Sequence, residues 1–123
     1  MFGFIAVFIG GGIGAGMRYI ISYILKKHFN ITYPATFIIN ISGSFFLGII
    51  SALSIKNTYL IGPSFKLLLT TGIAGGFTTF STFSYENIEL LQMGKVVNSL
   101  IYSVVSFFLV VLSFNQLHFI PRW

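Results

Sequence analysis

The side chains in this sequence that can do chemistry are few, and most are hydroxyls and amides. The densest group is GGFTTFSTFSYE at residues 75–86. Thr78, Thr79, Ser81 and Thr82 interleave there with Phe80 and Phe83, and Glu86 follows. Phe80 and Phe83 are three apart, which puts them on one face of a helix. The ring edge of phenylalanine is electropositive. Two such edges beside hydroxyl donors can contact a small anion without a full charge to trap it. The plainer use of such rings is to pack or to face lipid. In INISGSFFLG, Asn40 and Ser44 are four apart and share a face. Asn40 can bond a neighbouring helix or present its amide donors to an anion. Ser99, Ser103, Ser106 and Ser113 follow steps that keep one helical stripe, with Tyr102 four before Ser106 on an adjoining edge. Such a stripe either bonds neighbouring helices or lines a wet groove.

This inventory points away from catalysis. Glu86 and Glu89 are the only acids, and there is no cysteine, hence no disulfide or thiolate. No paired carboxylates, histidine–acid cluster or nucleophile–base pair has a spacing that signals an enzyme. His28 and His118 stand at the ends of apolar stretches, where they face water rather than bind metal. Glu86 lies about two turns past Thr78 and has Thr82, Arg18 or a lysine as candidate partners. Glu89 is closer to the interface.

The elements that carry these groups are apolar. Of 123 residues, 55% are hydrophobic, 18% aromatic and 7% charged, with a mean hydropathy of +0.92. A soluble domain carries about 25% charged residues, so the composition reads as an all-α integral membrane protein. It forms a single membrane domain over residues 1–123. A helix needs roughly 20 residues to cross the hydrocarbon core, and four stretches qualify: about 2–25, 34–55, 65–91 and 96–117. Pro34 suits the first turn of the second stretch. The N-terminus is apolar from Phe2 onward with no basic region before it, and reads as a retained helix rather than a signal peptide.

Two stretches have features beyond hydrophobicity. Gly75-Gly76 and the hydroxyls after them predict a broken third helix, near residues 75–78. A break at membrane depth is tolerated only if protein buries it or it lines a cavity. Such midplane breaks build ion sites: half-helix N-termini favour anions and freed carbonyls favour cations. In the first stretch, Gly10-xxx-Gly14 and Gly12-xxx-Gly16 predict close helix contact. Arg18 lies deep in the same stretch, either as an interfacial anchor or as positive potential at the mouth of an anion path.

The net charge is +5, and it is evenly spread. Four spans place both termini on one side with Lys56, Lys66 and Arg122, against Lys26, Lys27 and Lys95 on the other. Arg18, within a span, is left aside. The positive-inside rule then gives almost no orientation signal. One reading is a weakly biased protein with one orientation. The other is insertion both ways, with two opposed copies paired across a two-fold axis in the membrane plane. The small interior of four helices supports a homodimer. No basic cluster is long enough to suggest nucleic-acid binding.

In this order, GGGIGAGMRY, ATFIINISGSFFLG and GIAGGFTTFSTFSYE resemble the bacterial fluoride channels of the CrcB/Fluc family over essentially the whole chain. The resemblance implies an antiparallel dual-topology homodimer, multi-pass in the cell inner (plasma) membrane. Two separate pores would export fluoride passively from the cytoplasm. By similarity, the ring edges of Phe80 and Phe83 line the pores and Asn40 donates its amide. Ser81 and Thr82 are hydroxyls beside the path, and Tyr102 and Ser106 are the matching positions of the last helix. Backbone carbonyls at Gly75 and Thr78, from both subunits, would hold a structural sodium ion at the dimer interface. Glu86 matches an acidic position near a vestibule. Arg18 belongs with it as a vestibule or structural residue. The alternative is a small dual-topology proton-coupled exporter of the multidrug resistance type. Such antiport needs an embedded titratable group, and the first span offers Arg18 and no acid. A non-transporting assembly subunit would leave the cluster around Phe80 and Phe83 without a reason.

Overall fold

The computed structural model describes residues 1–29, 33–56 and 61–115. Every regular element among them is helical. α1 spans Phe2–Phe29 and α2 spans Tyr33–Lys56. α3, Pro63–Leu67, runs into a π-helical segment, Leu68–Ala74, and then into α4, Gly75–Phe77. α5 spans Phe80–Gln92 and α6 spans Val96–Asn115. Three helices, Phe2–Phe29, Ala35–Ser54 and Val96–Asn115, are long and apolar enough to cross a membrane. Their outer surfaces are apolar, with Phe4, Phe8, Val97 and Phe107 largely exposed, as lipid contact requires. α1 continues past the predicted end at residue 25 through Lys26, Lys27 and His28. Cations at a helix C-terminus complement its dipole, so charge there need not stop the helix. The expected end of the last helix at 117, His118 and Arg122 lie outside the described residues, as does Asn57.

The break falls at the C-terminal edge of the predicted 75–78 segment, not at its glycines. Gly75 is helical, with φ −65° and ψ −38°, and the paired glycines continue the helix. The chain leaves it at Thr78 (φ −76°, ψ 156°) and stays extended through Thr79 (φ −150°, ψ 120°). Helix resumes at Phe80, so Thr79 is not part of the turn that carries Phe83. The cause is side-chain competition for backbone groups. The Thr78 hydroxyl and its own N–H both donate to the Ala74 carbonyl at 3.0 Å. The Thr79 hydroxyl then caps α5 by accepting the Thr82 N–H at 3.2 Å.

The glycines serve close approach instead. A Cβ on Gly76 would stand 2.5 Å from the Gly11 carbonyl oxygen, and one on Gly10 would stand 2.9 Å from the Gly72 Cα. A Cβ on Gly14 would run into the Ile73 carbonyl. α1 therefore lies backbone to backbone along the π-helical segment and α4. Gly12 and Gly16 have nothing within 4 Å of a built Cβ, so only the first of the two predicted glycine faces packs within the chain. α2 lies against α6, where a Cβ on Gly48 would meet the Phe114 carbonyl at 2.5 Å.

α5 and α6 form a hairpin. Gly94, at φ 73°, occupies a left-handed position that favours glycine. Lys95 N–H donates to the Leu90 carbonyl and Gly94 N–H to the Leu91 carbonyl, at 2.8 and 3.0 Å. That is the Schellman pattern, which ends one helix cleanly and lets the next begin at Val96.

Candidate functional site

The break is held by α2. Asn40 Oδ1 accepts the Thr79 N–H at 2.8 Å, and Asn40 Nδ2 donates to the Thr79 carbonyl at 3.0 Å. Both polar groups of an extended, buried residue are thus satisfied by one side chain. An asparagine amide has two N–H donors and one carbonyl oxygen. The pairing uses the oxygen and one donor, and one N–H remains. Asn40 is therefore both interhelical glue and a source of a single further donor.

In an uninterrupted helix the Thr79 N–H would bond the Gly75 carbonyl. Because Asn40 takes that N–H, the Gly75 oxygen is released. The Thr78 carbonyl lies in the extended link between α4 and α5. Among the described residues, neither oxygen has a hydrogen-bond donor. Two unclaimed carbonyl oxygens fit a hard cation such as sodium.

The break opens on a cavity of about 610 Å³ whose lining carries no charged side chain. Asn40, Gly75, Thr78, Phe80, Phe83 and Ser106 all line it. Phe80 is 79% exposed, and its ring centroid is 5.8 Å from that of Phe83. Phe83 in turn lies 5.1 Å from the Tyr102 ring on α6. The two phenylalanines therefore share a face, as their spacing predicts. Ser106 is 7% exposed and its hydroxyl has no hydrogen-bond partner.

Beside the cavity, hydroxyls bond one another. The Thr79 hydroxyl donates to Thr82 Oγ1 at 3.1 Å and lies 3.2 Å from Ser81 Oγ. Ser81, Thr82 and Tyr102 are not among the lining residues. Glu86 is 3% exposed. Its carboxylate accepts from the Thr36 hydroxyl at 2.6 Å and the Tyr102 hydroxyl at 2.8 Å, one on each oxygen. Its hydrogen-bond donors are thus these two hydroxyls rather than Thr82 or Arg18, while of the lysines Lys26 interacts with it through longer-range charge. Arg18 is half-buried on α1 and is not part of the lining.

The serine stripe of α6 divides in use. Ser99 and Ser103 donate to Asn87 Oδ1 at 2.8 and 2.9 Å, and Asn87 Nδ2 donates to the Phe83 carbonyl at 3.0 Å. Ser113 turns back onto the Val110 carbonyl. Of the four, Ser106 alone has a buried hydroxyl without a hydrogen-bond partner, and the residue is part of the cavity lining.

Thr36 and Asn87, which bond Glu86 and the α6 serines, are the positions near the site that the sequence reading passes over. Thr36 is four before Asn40, on one polar face of α2. Asn87 is an amide in an apolar stretch and carries the same satisfaction demand as Asn40. Those two signals could have found them.

The sequence matches the family model described as CrcB-like protein, Camphor Resistance (CrcB), over residues 5–115. It is 45% identical over 103 residues to a protein of Gloeothece citriformis, covering 83% of this chain and 82% of the relative. With a protein of Aquifex aeolicus it shares 39% identity over 100 residues, 80% of each chain. With one of Clostridium novyi it shares 50% over 93 residues, 75% of this chain and 72% of the relative. All three carry the name fluoride-specific ion channel FluC. The match takes in α1 through α6 with the break and its cavity, and the chain belongs to the CrcB family.

Proposed function

We propose that this chain is a fluoride-selective channel that exports fluoride passively from the cytoplasm, and not an enzyme. It works as an antiparallel, dual-topology homodimer with two pores, multi-pass in the inner (plasma) membrane, the segments 63–92 completing a fourth, broken crossing. The observation that carries the reading is the uncharged cavity at the break. Around it stand the spare Asn40 N–H, the unpaired Ser106 hydroxyl and the rings of Phe80 and Phe83. The names of the relatives support fluoride as the ion. They lend no support to the proton-coupled exporter.

Fluoride is small and strongly hydrated, so a selective path must replace its water with compensating contacts. Binding must also stay weak enough for the ion to leave. One amide N–H, one hydroxyl and two ring edges meet both demands, because none is a full positive charge. Thr79 and Phe80 also place the N-terminal, positive end of α5 at the cavity wall. The exposure of Phe80 beside the break suits a second copy that closes the wall. The Gly75 and Thr78 carbonyls are the groups that would hold a sodium ion between the two copies. Bound there, sodium would supply fixed positive charge and a cross-link.

Efflux from liposomes tests the reading. Fluoride leaves quickly, chloride leaves little, and a proton gradient changes neither. Fluoride that stays trapped in vesicles with correctly inserted protein overturns it.

A further inference from the structure

Ser103 and Ser106 are three apart on α6, both line the cavity, and both are hydroxyls. Their protons have different fates. A serine hydroxyl has one proton to donate. Asn87 Oδ1 is purely an acceptor, so Ser99 and Ser103 must each be donors in their 2.8 and 2.9 Å bonds to it. The Ser103 proton is thereby spent, and its oxygen has only lone pairs left to offer. Ser106 has no partner and keeps its proton. Asn87 is itself fixed, because its amide donates to the Phe83 carbonyl at 3.0 Å.

We propose that Asn87 is a positioning residue that withholds the Ser103 proton from the anion path, so that Ser106 alone serves as the hydroxyl donor on this face of α6. The inference deepens the fluoride reading of the cavity and rests on it. A path that passes ions needs contacts weak enough to release them. A second free hydroxyl, one helical turn from the first, would add a hydrogen bond to a charged ion and hold it longer. The Asn87 carbonyl ties α5 to α6 by satisfying both hydroxyls, and presents the anion with one fewer donor.

The test measures fluoride flux against fluoride concentration in liposomes, for the wild-type chain and for Asn87→Leu, which keeps the side-chain shape and loses the acceptor. The half-saturating fluoride concentration should fall about tenfold, the scale of one hydrogen bond to a charged group, while the maximal rate drops. Adding Ser103→Ala to Asn87→Leu should restore the wild-type half-saturation. Ser99→Ala, which removes the other donor to the same oxygen, should leave half-saturation within about twofold of wild type, because the Ser103 proton stays on Asn87. Asn87→Val is measured alongside, so the test does not hang on one apolar replacement. A looser α5–α6 contact would slow flux in all these variants with no tighter half-saturation and no rescue by Ser103→Ala, and that pattern overturns the proposal. An equal shift in Ser99→Ala also overturns it. Wild-type vesicles that release no fluoride would instead overturn the channel reading itself.

Discussion

Asn40 holds Thr79 by both of its backbone polar groups, accepting the N–H at 2.8 Å and donating to the carbonyl at 3.0 Å. This pair has two consequences for the polar groups at the break. By taking the Thr79 N–H, Asn40 leaves the Gly75 carbonyl without its helical donor. By using only one of its two N–H donors on Thr79, it leaves the other unspent beside the cavity. One side chain on α2 therefore sets the shape of the break and the donor count beside it.

Asn40→Leu has nearly the shape of asparagine and cannot pair with backbone groups. It leaves a buried N–H and a buried carbonyl at Thr79 without partners, each at a cost of about 1–3 kcal/mol. Thermal unfolding of the purified protein should show a lowered midpoint, and fluoride efflux should be lost. A variant as stable as wild type would mean that Thr79 finds another partner and that Asn40 does not hold the break.

Phe80→Ile and Phe83→Ile remove the ring edges and keep apolar volume. Each should cut fluoride efflux at least about tenfold, consistent with the loss of about 1.4 kcal/mol of ion stabilisation. The two differ in folding. Phe80 is largely exposed and touches only the Phe83 ring among the ring pairs, so its substitution should cost chain stability less than that of Phe83. Phe83 packs on the Tyr102 ring, and its loss should cost about 0.5–1.5 kcal/mol. Unchanged efflux in both variants would sink the ring-edge proposal.

These residues also mark how far the site is legible in the sequence. Helical spacing alone puts Phe80 with Phe83 and Asn40 with Ser44, and all four line the cavity. Hydropathy locates the apolar helices to within a few residues. Glycine propensity misplaces the break because it treats the helix as if it stood alone. Gly76 and Gly72 lie against the backbone of α1, where a missing side chain is an advantage. The true break depends on Asn40, 39 positions away in sequence. The partners of Glu86 escape local reasoning in the same way. Thr36 is 50 positions away, and spacing along one helix offers only neighbours such as Thr82.

Glycine substitutions separate the two small-residue faces of α1. Gly10→Ala and Gly76→Ala each press a Cβ onto backbone atoms of the facing helix. They should destabilise by about 1–3 kcal/mol, as overpacking does. Gly12→Ala and Gly16→Ala meet nothing within 4 Å in the chain and should not lower its unfolding midpoint, since alanine is the better helix former. Equal losses in both pairs would contradict the backbone-to-backbone packing of α1 on the π-helical segment.

Glu86 joins three helices through one carboxylate. It is 3% exposed and takes one hydroxyl on each oxygen, from Thr36 on α2 and Tyr102 on α6. Tyr102 also carries the ring against Phe83. Thr36→Val and Tyr102→Phe each delete one donor and keep the shape. Each should cost about 1.5–3 kcal/mol, the range for hydrogen bonds to charged groups. Because both donors serve one carboxylate, the losses should not add. The double variant should depart from the sum of the singles by at least about 0.5 kcal/mol, as coupled neighbours do. Additive losses would mean that Glu86 bonds each hydroxyl independently and that α2 and α6 are not coupled through it.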